Sequence, residues 1–309
     1  MSLLTRDAGA RSRSGIRSAP RRRAALIAYL FALPFIASFA VFMVIPLLSS
    51  VAMSLTDFRS SDIGNPFAVA FVGLDNFVTL FADPRFVHSL LNTAYFVGVG
   101  IPLTMIAGLA LAVALNNGIR RFRTVFRVGF FAPVITSIVA VAVVWRFILQ
   151  PDGLINIVLE AVVIEGPNWL VDPAWAMPSL ILMAVWRNTG TLMVIFLAGL
   201  QAVPEDVLEA AAMDGANAWQ RFTRVTLPIL RPTLLLGAVL LSVGFLQFFE
   251  EPFVMTKGGP LDSTLSVIYY TYNQFGFGNF GLASAASYVL VVAIALLSVF
   301  QFRAFRSKD

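Results

Sequence analysis

Five stretches of this chain run for 18 residues or more without an Asp, Glu, Lys or Arg, and nothing else in it constrains the fold as much. Thirty-three residues separate Arg23 from Asp57, 34 separate Arg85 from Arg120, and 40 separate Asp262 from Arg303. Arg127 to Arg146 and Arg231 to Glu250 each enclose 18. A charge at the centre of a bilayer costs roughly 2.5–3.5 kcal/mol on insertion scales. About 20 apolar residues, at about 1.5 Å of rise each, cross the hydrocarbon core. Lipid offers exposed backbone amides no partner, so such runs become helices. The spacing predicts six of them, near 25–52, 88–115, 125–149, 177–200, 232–255 and 282–304. The fourth is apolar apart from Arg187 and Asn188.

Composition agrees. Hydrophobic residues make up 58% of the 309 and charged residues 13%, about half the roughly 25% of a soluble domain. The expectation is an all-α, polytopic membrane protein. Without Cys and with His88 as its one histidine, the chain lacks the usual means for a disulfide framework, a metal site or a His-based triad, and no metal or resident cofactor is expected. The net charge of +5 suggests nucleic acid until it is located. Residues 1–23 hold seven Arg against one Asp, so the remainder sums to −1. That segment reads as a basic tail beside anionic lipid, not a nucleic-acid site, and residues 24–309 read as the membrane domain. The first apolar run is too long for the core of a cleaved signal peptide, so it reads as a retained span.

Orientation follows from where Lys and Arg fall in the loops. With the N-terminus cytoplasmic, that side holds the tail, Arg120, Arg121, Arg123 and Arg127, then Arg221, Arg224 and Arg231, and finally Arg303, Arg306 and Lys308. The other side holds Arg59, Arg85 and Lys257. Seventeen against three places both termini inside.

One cytoplasmic segment is unlike an ordinary connection. Pro204 suits the first turn of a helix, and Glu205 and Asp206 place negative charge at the positive end of its dipole. Ala210, Ala211 and Ala212 favour helix with little bulk, and Gly215 is a natural terminator. A second helix from about Asn217 would carry Trp219, Phe222 and Val225 on one apolar stripe, with Pro228 and Pro232 separating it from the fifth span. Two short helices meeting at a glycine can dock a protein or rest among lipid headgroups. Interfacial helices prefer Lys and Arg on the polar face, whereas the first helix carries only acids, which favours the protein.

Those residues carry a resemblance. Glu209, Ala210, Ala211, Asp214, Gly215, Leu227 and Pro228 match, at fixed spacing, the EAA motif of the membrane-spanning subunits of bacterial ABC importers. Phe71 to Phe77 and Glu251 to Pro260 are similar to segments of the sugar-permease branch, with maltose, lactose and glycerol-3-phosphate permeases. The resemblance implies the type I importer fold, a core transmembrane domain over about 88–304 and a coupling loop over 203–232 that seats on a cytoplasmic ATPase. It further implies a second homologous permease forming a heterodimer, two copies of the ATPase holding Mg-ATP, an extracytoplasmic solute-binding protein, and residence in the inner membrane. The chain itself has no phosphate-binding loop of the G-x-x-x-x-G-K-[ST] kind, so hydrolysis would belong to the partner and this subunit would not be an enzyme. The solute implied is an oligosaccharide, a polyol or a glycerol phosphoester.

Candidates for the solute path are Gln247, Phe248, Glu250 and Glu251 at the end of the fifth span, with Arg187 and Asn188 in the fourth. Each has a purely structural alternative, in packing, headgroup water or a buried pair. An ion-coupled secondary transporter is the competing reading. Such proteins show paired halves, broken helices and midplane carboxylates, whereas the span-associated carboxylates here gather at one end of the fifth span. An intramembrane enzyme ranks third, there being no H-E-x-x-H or G-x-S-x-G.

Overall fold

A computed structural model describes residues 19–65, 69–117 and 123–305. Arg120, Arg121, Arg306, Lys308 and most of the basic tail lie outside them. The described residues are helical and irregular, with one isolated antiparallel bridge between Thr56 and Phe71. The helices are α1 (Ala19–Phe39), α2 (Ile45–Ser54), α3 (Asp75–Ala82), α4 (Pro84–Asn117), α5 (Arg123–Ile135), α6 (Ile138–Ile148), α7 (Leu154–Ala161) and α8 (Pro173–Gln201). There follow α9 (Glu205–Met213), α10 (Ala218–Arg221), α11 (Leu227–Ile229), α12 (Arg231–Leu246), α13 (Glu250–Met255), α14 (Val267–Gly276) and α15 (Phe280–Phe305). Among the described residues, four uninterrupted stretches are long and apolar enough to cross a membrane, or six if each of two bent pairs is one span.

The chain divides into two compact units, Met1–Ser50 and Val51–Asp309. In the first, α1 passes into α2 through one π-turn, Ala40–Val44. Pro46 follows at once; having no N–H, it cannot continue a regular ladder, and the wider turn takes up the mismatch. The apolar window of Ala25–Ser54 buries nothing, as suits a helix solvated by lipid.

In the second unit α4 and α8 form the largest helix pair, with α12 and α5 packed against them and α15 packed on α12. Lipid-phase packing depends on close approach of small residues, since burial from water drives nothing there. Gly108 on α4 supplies it: a Cβ at that position would meet the Leu192 Cβ at 2.6 Å. Gly237 on α12 lies similarly against the Phe196 ring. Between α12 and α15, Gln301 Nε2 donates to Ser242 Oγ at 2.5 Å in a buried polar bridge.

Two expected spans are broken. The third bends by 101° between α5 and α6, just after Pro133, with Thr136 Oγ1 bonding back to the Ala132 carbonyl at 2.9 Å. The fifth, expected to run over 232–255, is helical only to Leu246 and resumes at Glu250. In a continuous helix Pro252 would lack the N–H that the Phe248 carbonyl needs and would crowd that oxygen. Breaking the helix puts Pro252 in a new first turn, where no donor is required. It also turns the Phe248 ring into the core, stacked on Phe96 at 3.9 Å with the planes 2° apart.

At the end of the unit remote from α9, polar ties fasten the connections. Arg85 grips Asp262 through two bonds of 2.8 and 2.9 Å. Asn92 Nδ2 donates to the carbonyls of Asp262 and Leu265. Tyr270 Oη donates to Asp83 at 2.6 Å; burial first, and that bond second, hold its phenol above the ordinary value. The 71–77 segment is a clasp: Gly73 adopts φ +58°, and Asn76 Nδ2 donates to the carbonyls of Ser54 and Thr56 at 2.9 and 2.8 Å.

Candidate functional site

The knuckle between α8 and α12 is built from local sequence chemistry. Pro204 stands at the N-cap of α9, one place before the expected first turn, and Glu205 and Asp206 fill that turn. The helix closes through a Schellman arrangement. Ala216 N–H donates to the Ala211 carbonyl and Gly215 N–H to the Ala212 carbonyl, both at 3.0 Å, with Gly215 at φ +81°. Only a residue tolerant of left-handed backbone closes a helix this way. Asn217 then caps α10 in a reciprocal box with Gln220, each bond 2.9 Å.

Beyond α10 the expected apolar stripe is interrupted. Phe222–Thr226 is a π-turn, which widens the helical period and carries Val225 off the line of Trp219 and Phe222. Trp219 is 72% exposed and meets Phe222 at a ring distance of 6.1 Å. Pro228 and Pro232 bend the helix by 67° at Leu230 without detaching it.

Glu209, Ala210, Asp214 and Gly215 are exposed, whereas Ala211, Leu227 and Pro228 are half-buried where the knuckle turns back toward the bundle. Met213 is 89% exposed beside Gly215. Sequence reasoning passed over Met213, since one apolar residue off any helical stripe gives no signal. Below the knuckle lies a cavity of about 290 Å³, bordered by Leu208, Arg221, Phe222, Asn116 and Thr226. The knuckle therefore presents acids, bare backbone and two apolar side chains outward.

The second set of candidates lies around the break after α12. Gln247 is exposed and ends α12, its N–H donating to the Gly244 carbonyl. Phe248 is 3% exposed and offers no open ring face. Phe249 joins Phe253, Tyr269 and Tyr272 in an aromatic cluster. Glu250 is half-buried; Glu251 is 6% exposed, and its Oε2 has no hydrogen-bond partner. On α8, the half-buried Arg187 has a buried Nε also without a partner. It and Glu251 do not come within the 4.0 Å of an ion pair. Asn188 Nδ2 bonds back to the Ala184 carbonyl at 2.8 Å. The break thus gathers Gln247, Glu250, Glu251 and Arg187, with unspent donors and acceptors, between α8 and α13. Among the described residues no group of three or more Asp, Glu, His or Cys is placed to hold a metal.

Residues 100–307 match the family model of the binding-protein-dependent transport system inner membrane component. The chain is 37% identical over 298 residues to the lactose transport system permease protein LacF of Rhizobium radiobacter, covering 94% of this chain and 98% of that one. It is 32% identical over 296 residues to the trehalose/maltose transport system permease protein MalF of Thermococcus litoralis, covering 94% and 99%. Its fold superposes with a TM-score of 0.77 on a chain of a bacterial alginate ABC transporter, solved with an alginate pentasaccharide-bound periplasmic protein. That match has 25% identity and covers 94% of this chain and 98% of the other.

Proposed function

Because the chain belongs to the binding-protein-dependent transport system inner membrane components, we propose that it is the permease subunit of an ATP-driven importer, forming half of the pathway for a carbohydrate or related solute. Relatives named for lactose and for trehalose and maltose support that solute class. The likeness to an alginate importer solved with a periplasmic binding protein supports delivery by such a protein. The division of residues adopted is a tail over 1–23 and a permease domain over 24–309, with both termini cytoplasmic and the membrane the bacterial inner one.

The observation that carries the mechanism is the exposed knuckle over 203–232. It joins two membrane helices and turns an acidic, small-faced helix outward. An ATPase subunit seated there, holding Mg-ATP, supplies work this chain has no phosphate loop to generate. Glu209 makes the polar contact, Ala210 and Ala211 allow close approach, and Asp214 and Gly215 form the bend. Leu227 and Pro228 brace the turn against the bundle. The second permease is homologous, and two ATPase copies serve the pair. At the break, Gln247, Glu250, Glu251, Arg187 and Asn188 offer hydrogen-bonding groups to the solute, and Phe248 holds the break open by its stack on Phe96. Glu209→Lys reverses the charge at the knuckle on an exposed site. Membrane insertion should persist, while solute-stimulated ATP hydrolysis and uptake in proteoliposomes should collapse. Normal uptake by that variant removes the assignment.

A further inference from the structure

A cavity of about 310 Å³ lies at the end of α8 remote from the knuckle, between the end of α6, the connection over 162–172 and the end of α13. That volume is enough for one small ring. Trp169 borders it, and the Trp169 indole is held in place. Trp169 Nε1 donates to Asn156 Oδ1 at 2.7 Å, and Asn156, 5% exposed, donates in turn to the Pro151 carbonyl at 3.0 Å. Trp175 meets the indole edge-on at 5.2 Å. Ser179 Oγ lies 3.2 Å from the Trp169 carbonyl, to which it donates. The ring's one polar atom is thus spent, and its orientation is locked.

Around the same cavity the polar groups are free. Arg146, Gln150 and Asn168 are exposed, and none of their side chains has a hydrogen-bond or ion-pair partner among the described residues. Thr256 is already engaged with Thr264 at 2.7 Å. No carboxylate borders the space. A locked aromatic side chain sharing a cavity with unspent hydrogen-bonding groups complements a pyranose, which has an apolar C–H face and a polar rim.

We propose that this cavity is a saccharide subsite, taking one pyranose unit on Trp169 with its polar rim on Arg146, Gln150 and Asn168. The inference rests on the carbohydrate reading above and deepens it. Met255 and Thr256 border the cavity, and the six residues of α13 connect it to the break at Gln247. That is about 9 Å of helix. A second sugar-holding position so near the first would favour solutes of more than one unit over single sugars. Arg146 accepts either a neutral ring or a uronate carboxylate, and the experiment separates them.

The test is saturation-transfer NMR on the assembled importer in lipid nanodiscs, without its binding protein, using lactose and glucuronic acid as probes. Transfer to the ring protons is expected with wild type and with Trp169→Phe, and about tenfold weaker apparent affinity with Trp169→Leu. Gln150→Ala should weaken both probes, and Arg146→Gln should weaken glucuronic acid alone if the carboxylate is what Arg146 holds, or both if it holds hydroxyls. These two side chains are exposed, so the test survives if Trp169→Leu fails to assemble. Absence of transfer, or indifference to every cavity variant, would overturn the proposal. So would variants that bind sugar normally but need more binding protein for half-maximal ATPase, since the cavity would then seat a protein side chain. A failure of the permease reading is distinguishable, because it would appear as ATP hydrolysis indifferent to Glu209→Lys.

Discussion

Gly215 is the sharpest place to test the knuckle, because the structure isolates one term of its energy. Its φ of +81° is left-handed, and a Cβ built there meets no atom within 4 Å. Steric overlap therefore contributes nothing to the cost of a side chain. What remains is the intrinsic penalty of left-handed backbone for an L-residue, about 1–2 kcal/mol. Alanine should incur that amount, and valine, branched at Cβ, more. Asparagine, which visits this region readily, should incur less. If the ATPase grips the knuckle only with its Schellman turn intact, that penalty appears as weaker coupling. One to two kcal/mol corresponds to a factor of about 5–30.

The assay is a titration of ATPase subunit into the reconstituted permease pair, reading solute-stimulated hydrolysis. The half-maximal concentration should rise in the order Gly, Asn, Ala, Val, with the plateau rate for bound complexes changing less. Thermal unfolding should barely move, since Gly215 is exposed and lies outside the buried core. Equal titrations for glycine, alanine and valine would show that the hand of this residue is irrelevant. Asparagine as damaging as valine would show that bulk at the interface decides, not backbone conformation.

Other substitutions should separate packing from surface chemistry. Gly108→Val presses a side chain onto the Leu192 Cβ, 2.6 Å from the site of its own Cβ, and should cost about 1–3 kcal/mol by overpacking, read as a lowered melting temperature in detergent. Asn217→Ala removes the reciprocal cap of α10 and should cost about 1 kcal/mol, seen as faster amide exchange over 218–221 without loss of membrane insertion. Arg85→Ala breaks a two-bond ion pair whose arginine side chain is 56% exposed; screening by solvent should hold the loss below about 1 kcal/mol, so a fall of many degrees in melting temperature would refute that reading. Tyr270→Phe removes the bond to one oxygen of the half-buried Asp83, whose other oxygen still accepts from the Arg85 N–H, and should cost about 0.5–1.5 kcal/mol, measured in the same melts.

Charge spacing made the membrane helices legible, because the penalty for a buried charge leaves long gaps that no folding detail can hide. It said less about where those helices stop being straight. Pro252 could have warned that the fifth span breaks, since its ring conflicts with the Phe248 carbonyl in a continuous helix. What the chain gains by breaking there, the stack of Phe248 on Phe96, joins residues 152 apart in sequence and leaves no local trace. The knuckle was readable because each of its parts is a local device: acids in a first turn, a glycine terminator, an Asn with a Gln three residues on. Val225 was misplaced on a stripe with Trp219 and Phe222 because a π-turn changes the period, and nothing in Phe222 to Thr226 announces one. The Arg146 cavity was invisible for a third reason. Asn156 and Trp169 are unremarkable apart from each other, and only the fold brings them into contact.

The knuckle and the polar break are ends of one element, and that bears on how work could pass between them. α12 runs unbroken from Arg231 to Leu246, about 24 Å, with a 67° bend at one end and the break at the other. Along its length it is tied down: Leu230 is 1% exposed at the bend, Gly237 presses on Phe196, and Ser242 accepts the bond from Gln301. Packed helices shift as rigid bodies because close-packed interiors are not continuously deformable. A displacement delivered to the knuckle must therefore be absorbed at the two places where the backbone already departs from helix. One is the bend beside the knuckle. The other is the segment Gln247–Phe249, next to Glu251, whose buried Oε2 has no hydrogen-bond partner.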